Sequence, residues 1–253
     1  MPDLKNAWEQ PARLNDGGPR YTETPADQLA PNTPFIAEPW NAITASLFVA
    51  IVIAWVWRLR GRYARYPFLC CCLPILLAGG VGGTLYHALR NSRAFFLLDV
   101  IPIYALGLAG AVAMAIRYWS GRWWLFIPAA LAFYIGVNGL FFAVMGSSNR
   151  QLNINLSYAS LAVVVLSPIV LVLIRTRFRH GSWVVAGAVA FAIGWFFRLW
   201  DQYAGPYLPM GSHWLWHCFG AAATALVIEY FYKVEGENTL TNLADPAADR
   251  YSP

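Results

Sequence analysis

The chain reads as an all-α integral membrane protein of seven transmembrane helices, with its N-terminus outside or lumenal and its C-terminus cytoplasmic. Three observations predict this. Of its 253 residues 58% are apolar and 12% are charged, about half the roughly 25% charge of a soluble domain. Apolar stretches near the ~20 residues that cross a bilayer recur at 41–57, 67–89, 95–116, 123–145, 154–174, 183–200 and 213–232. Basic residues favour alternate connections: Arg58, Arg60, Arg62, Arg65, Arg117, Arg122, Arg175, Arg177, Arg179 and Lys233 face Arg90, Arg93, Arg150 and Arg198 on the other side, and the richer side is cytoplasmic.

Residues 1–39 form a polar, proline-containing extramembrane lead-in without a signal-peptide pattern. Residues 40–233 are the membrane domain, where short connections make successive spans antiparallel neighbours. Residues 234–253 form a polar cytoplasmic tail. The net charge of +5 follows from topology and requires no nucleic acid. Cys70, Cys71, Cys72 and Cys218 lie inside apolar segments, where packing is the default and lipid modification of the first three the alternative. Gly79, Gly80, Gly82 and Gly83 predict close helix approach, and Asn138 an interhelical hydrogen bond. Arg198 with Asp201, and Glu229 with Lys233, have the spacing of structural ion pairs on a helix. His180 falls in a basic loop and reads as a solvated surface residue. No internal repeat is evident, which disfavours transport.

This topology collects the rare polar residues on the outer face. Glu38 and Asn41 open span one, His87 closes span two, Asp99 opens span three, Arg198 and Asp201 close span six, and His213 and His217 open span seven. His213 and His217, four apart, share one helix face. Near an interface such a pair can simply hydrogen-bond and anchor, with Trp214 and Trp216 as an aromatic belt. His87 and Asp99 at matching depth shift the balance toward a metal site, because ionisable groups in membrane spans are costly and usually functional. Three histidines leave one position of a tetrahedral zinc open for water, whose pKa the metal lowers to about 7. Asp99 can take a proton from that water or orient an imidazole.

The segments 37–44, 82–87, 98–102, Phe197-Arg198 with Asp201, and 211–217 together resemble the alkaline ceramidases. These belong to a superfamily of seven-span membrane hydrolases that includes the progestin and adiponectin receptors. The resemblance covers the whole membrane region. It implies Zn2+ on His87, His213 and His217, Asp99 as the acid/base, and hydrolysis of the amide of a ceramide or related N-acyl lipid to a sphingoid base and a fatty acid. Three departures accompany it. Gly83 replaces a serine associated with oxyanion support, leaving Thr84 as the nearby hydroxyl. The loop from His87 to Asp99 is one residue longer. In the eukaryotic ceramidases the lead-in binds Ca2+; here Glu38 matches the expected glutamate, and Glu23, Asp27 and Asn32 are the available oxygen ligands, while the usual aromatic and cysteine signature is missing. Alternatively, Glu38 caps span one.

The expected protein is therefore a zinc-dependent lipid amidase. The alternative is a zinc-containing lipid-binding receptor or sensor with weak or no hydrolysis, which the glycine at 83 favours. Amide and ester attack would use the same residues. A bacterial inner membrane is expected over a eukaryotic endomembrane.

Overall fold

A computed structural model describes residues 16–25, 35–145 and 150–237, and among these it is all helical. The helices are α1 (Pro39–Ala45), α2 (Leu47–Leu59), α3 (Pro67–Leu89), α4 (Arg93–Trp119), α5 (Phe126–Met145), α6 (Arg150–Arg175), α7 (Gly181–Ala204) and α8 (His213–Gly236). Prolines open α1 and α3, where a helix has no use for the missing N–H and the fixed φ suits the first turn. Between α1 and α2 Ser46 keeps a right-handed helical backbone (φ −65°, ψ −13°), and its hydroxyl donates to the Ile43 carbonyl at 2.6 Å.

Five helical stretches are long and apolar enough to cross a membrane: Pro39–Leu59, Pro67–Leu89, Arg93–Arg117, Arg122–Val144 and Gly181–Ala204. The other two expected spans are also helices but fall outside that set. Within α6 the described apolar stretch is Ala159–Arg175. In α8 the two histidines, three tyrosine and lysine positions near its end, and Glu229 and Glu235 dilute the apolar run. Large apolar side chains stay uncovered along the helices, Trp57 at 77% and Leu140 at 61% exposure among them. Water would penalise each such surface, so this is the surface of a multi-pass membrane protein.

The chain divides into two compact units. One contains residues 107–179. Its core is Ala111, Ala115, Phe126 and Val164, with Tyr134 packed against it, and the Asn138 amide donates to Ser160 Oγ at 2.9 Å, the expected interhelical bond. The other contains residues 11–106 and 180–237. There α3 runs antiparallel to α8, and the glycines of α3 allow the close approach expected of them. A Cβ at Gly80 would stand 2.9 Å from the Val49 nitrogen, and one at Gly82 2.4 Å from Leu98 Cβ. Glu229 pairs with Lys233 at 3.5 Å as its spacing suggested, and also with Arg58. The helix of residues 213–236 runs past the expected tail boundary at 234, and Glu235 is buried. His180 is not simply solvated: its Nε2 lies 2.7 Å from Glu237.

Candidate metal centre

All three histidines belong to the second unit, and two helix ends deliver them. His87 sits in the last turn of α3, and His213 and His217 in the first two turns of α8. One ring nitrogen from each lies within 4.8 Å of the others, and all three rings are buried. The expected ligand set therefore comes together in space.

Hydrogen bonds set two of the rings. His87 Nδ1 is 2.5 Å from Glu38 Oε2. A carboxylate can only accept, so Nδ1 carries the proton and Nε2 keeps its lone pair. His217 Nδ1 lies 3.0 Å from the Asn41 carbonyl, with Thr44 Oγ1 at 3.2 Å, and the same reasoning leaves its Nε2 unprotonated. Carboxylate and carbonyl partners of this kind fix the tautomer and raise the basicity of a metal-ligating imidazole. Among the described residues, His87 Nε2 and His213 Nδ1 have no hydrogen-bond partner in their buried sites. A buried unsatisfied nitrogen costs about 1–3 kcal/mol, so a ligand for these nitrogens is the economical explanation. Neutral imidazoles suit zinc, copper, iron or nickel, and the cluster can hold such an ion.

Asp99 comes from α4 and reaches α3 at Gly83, one turn before His87. A methyl group at Gly83 would stand 2.5 Å from Asp99 Oδ1, so the glycine is what admits the carboxylate. Asp99 lies within electrostatic range of His87, Arg198 and Glu38, and no protein donor satisfies it among the described residues. Thr84 faces elsewhere. Its hydroxyl donates to the Gly80 carbonyl at 2.7 Å, and its side chain lines a groove of about 420 Å³ with Ser46, Val49, Ile53 and Leu85.

The oxygen ligands considered for calcium have other partners. Glu38 is fully buried and accepts from Thr24 Oγ1, Asn41 Nδ2, His87 and Arg90. Burial pushes its pKa up, but His87 and Arg90 outweigh burial and hold the carboxyl below its ordinary value. Although Glu38 precedes α1, its side chain does not cap that helix. Glu23 does so instead, accepting from the Trp40 and Asn41 backbone N–H groups at 2.7 and 3.0 Å. Burial raises the Glu23 pKa against the pull of those two donors. Asp27 and Asn32 lie outside the described residues. An oxygen cage does exist here, formed by Asp16, Pro19 O, Thr24 and Glu38, but what it surrounds is the Arg90 guanidinium. Arg90 takes a left-handed backbone (φ 48) just after α3 and lies over the Tyr86 ring at 4.5 Å.

The expected Arg198–Asp201 ion pair is replaced by two separate contacts. Asp201 Oδ1 accepts from the Ser212 and His213 N–H groups at 2.7 and 2.9 Å, capping the helix that carries two of the histidines. Arg198 instead lies over the rings of Trp195 and Trp216. Gly211, at φ +69, is required at this turn: a Cβ there would stand 2.4 Å from Asp201 Oδ1 and 2.7 Å from Thr22 Cβ.

Sequence reasoning passed over Asp16, Tyr21, Thr22 and Arg90. Tyr21 stacks on His213, with ring centroids 3.8 Å apart and planes at 21°. A proline-punctuated polar segment gave no signal that it would fold onto the histidines. The fold and site define a helical membrane protein with a buried three-histidine cluster able to hold a metal ion. Comparison with family models, curated proteins and solved structures finds no match.

Proposed function

We propose that this protein is a zinc-dependent amide hydrolase of membrane lipids, ceramidase-like, that cleaves a ceramide or related N-acyl lipid to an amine and a fatty acid. The observation that carries this reading is the convergence of His87, His213 and His217 within 4.8 Å on the α3–α8 ends, with the Asp99 carboxylate beside the preceding turn of α3. We place this cluster in the outer layer of a seven-span protein, with α6 and α8 as its other two spans. There a scissile amide near the headgroup can reach it while the acyl chains stay in lipid.

Zinc, when held there, supplies Lewis acidity and a water of lowered pKa. The chain's own residues do the rest. Glu38 and the Asn41 carbonyl keep the His87 and His217 tautomers fixed, so that their Nε2 lone pairs remain available. Asp99 accepts a proton from the attacking water and returns it to the leaving nitrogen as the carbon–nitrogen bond breaks. Gly83 leaves room for this carboxylate. Gly83→Ser is therefore expected to lower turnover by displacing Asp99, and a rise in turnover would instead identify a missing hydroxyl donor.

The test is elemental analysis of the purified protein together with a panel of N-acyl and ester lipids, with and without a chelator. One zinc per chain, lost along with fatty-acid release in His217→Ala, is the expected result. Protein that carries no transition metal and hydrolyses nothing would refute the proposal. A lipid-binding receptor or sensor that retains the metal is the second reading. It is favoured by Gly83 and by the Tyr21 ring covering one face of His213. Such a protein would bind zinc and lipid but release no fatty acid.

A further inference from the structure

Four consecutive residues of the lead-in each engage a different support of the metal centre. Tyr21 stacks directly on His213. The Thr22 N–H donates to Asp201 Oδ2 at 2.9 Å, and its hydroxyl donates to the Asp201 carbonyl, the residue that caps α8 at His213. The Glu23 carboxylate holds the N–H groups of Trp40 and Asn41, and the Asn41 carbonyl in turn holds His217. The Thr24 hydroxyl donates to Glu38, and Glu38 holds His87. A turn makes this divergence possible. The Thr24 N–H bonds the Tyr21 carbonyl at 3.1 Å, and the Tyr21 N–H bonds Thr24 Oγ1 at 2.9 Å. Such a hydroxyl-assisted turn holds the four residues together while each meets its own partner.

We infer that Tyr21–Thr24 is a four-point clasp that completes the metal centre: these are positioning residues for all three histidines, and the metal is retained only while the clasp is seated. The inference rests on the metal-binding part of the proposed function and is independent of the substrate. Removing the partners of metal-ligating histidines typically weakens metal affinity about 10- to 100-fold. The clasp reaches those partners from a segment that α1, α3 and α8 do not require for their own helical bonds. A broken clasp should therefore release metal faster while the helices stay folded.

The test uses the full chain in detergent, loaded with zinc or with cobalt as a spectroscopic reporter. It measures metal stoichiometry, release to a chromogenic chelator, the visible cobalt spectrum and helical content. Thr24→Val removes the hydroxyl on Glu38. Asp201→Asn keeps an oxygen for Ser212 and His213 but turns an amide NH2 toward the Thr22 N–H. Tyr21→Ala removes the stack. Each is expected to speed release about 10-fold or more and to shift the cobalt spectrum, with helicity unchanged. Thr24→Ser and Tyr21→Phe, which keep the hydroxyl and the ring, are expected to restore wild-type release. Glu229→Gln, at the far end of α8, serves as a control for general loosening and should leave release unchanged. Full metal occupancy with wild-type release in all three clasp variants would overturn the clasp alone. Wild-type protein that binds no metal would overturn the metal reading, and this inference with it.

Discussion

The two ends of the α3–α8 pair solve the same problem with opposite outcomes. At the far end Glu235 accepts from the Phe68 and Leu69 N–H groups at 2.7 and 3.3 Å, capping α3 from α8. Arg58 and Lys233 share Glu229, and Tyr66 stacks on Tyr232 at 4.6 Å. The carboxylates there meet donors, and the arrangement closes on itself. The histidine end also uses a cross-helix acidic cap, Asp201 of α7 at the start of α8, and an acidic–basic set around Arg90. Yet among the described residues it leaves His87 Nε2 and His213 Nδ1 buried without a hydrogen-bond partner. Carboxylates met by donors at one end, and imidazole nitrogens with no hydrogen-bond partner among the described residues at the other, separate a structural cap from a cluster able to hold a metal ion.

The sharpest way to break that contrast is to remove a ligand. His87→Ala or His217→Ala should abolish stoichiometric metal and, with it, lipid hydrolysis, as elemental analysis and a fatty-acid assay on the same preparation would register. Equivalent metal loss from Glu229→Gln would show that the two ends do not differ in the way described.

Next in size is Arg90. Its guanidinium, Asp16 and Glu38 all have fully buried side chains, and breaking a buried charge set by removing one member costs about 3–5 kcal/mol. Burial alone would ease its deprotonation, but Asp16 and Glu38 outweigh that and raise its pKa, so the charge is permanent. Arg90→Met keeps the stem against Tyr86 but strands two carboxylates. It should lower the detergent-state unfolding midpoint more than any single change at the far end. Added calcium that restores the midpoint would show that the oxygen cage accepts a cation once the guanidinium is gone.

Glu38→Gln is a smaller change. The amide is isosteric but cannot present an anionic acceptor to both His87 and Arg90. Zinc affinity should fall about 10- to 100-fold, read by competition with a chelating dye. The pH dependence has a definite sign. Because the folded-state pKa of Glu38 is lowered, its stabilising contribution is full above the unfolded carboxylate pKa and is lost only as pH falls through the lower folded value. Imidazole ligands bind metal in their neutral form, so acidification should release metal before it unfolds this end. Simultaneous loss of both would contradict that order.

How much of this was legible in sequence follows from the range of each contact. The helices were readable because apolar runs and proline starts are local. The three histidines were readable because ionisable residues are rare in such runs and alternating topology sets their depth. The supports were not. The Thr22–Asp201 bond spans 179 positions and the Arg90–Asp16 bond 74, and no periodicity encodes either. The Arg198–Asp201 spacing was misleading for a physical reason: an i,i+3 partner on a helix gains little, whereas two bare N–H groups at the start of α8 offer a carboxylate a stronger claim. Glu38 and Glu23 were recognised as oxygen donors, but the identity of what they surround depended on Arg90, counted beforehand only for topology.

Arg58 provides the weakest perturbation and the cleanest control. Its side chain is 42% exposed, against 12% for Glu229. Its attraction to that carboxylate is therefore screened, and an exposed pair of this kind contributes at most about 1 kcal/mol. The guanidinium also lies over the Trp55 and Tyr232 rings at 4.5 and 4.4 Å, and Lys233 remains to neutralise Glu229 when Arg58 is removed. Arg58→Ala should accordingly shift the unfolding midpoint only slightly and leave metal content and release untouched. Should it instead release metal, the far end would be coupled through α8 to His213 and His217, and the helix would transmit strain along its length rather than isolate the two ends.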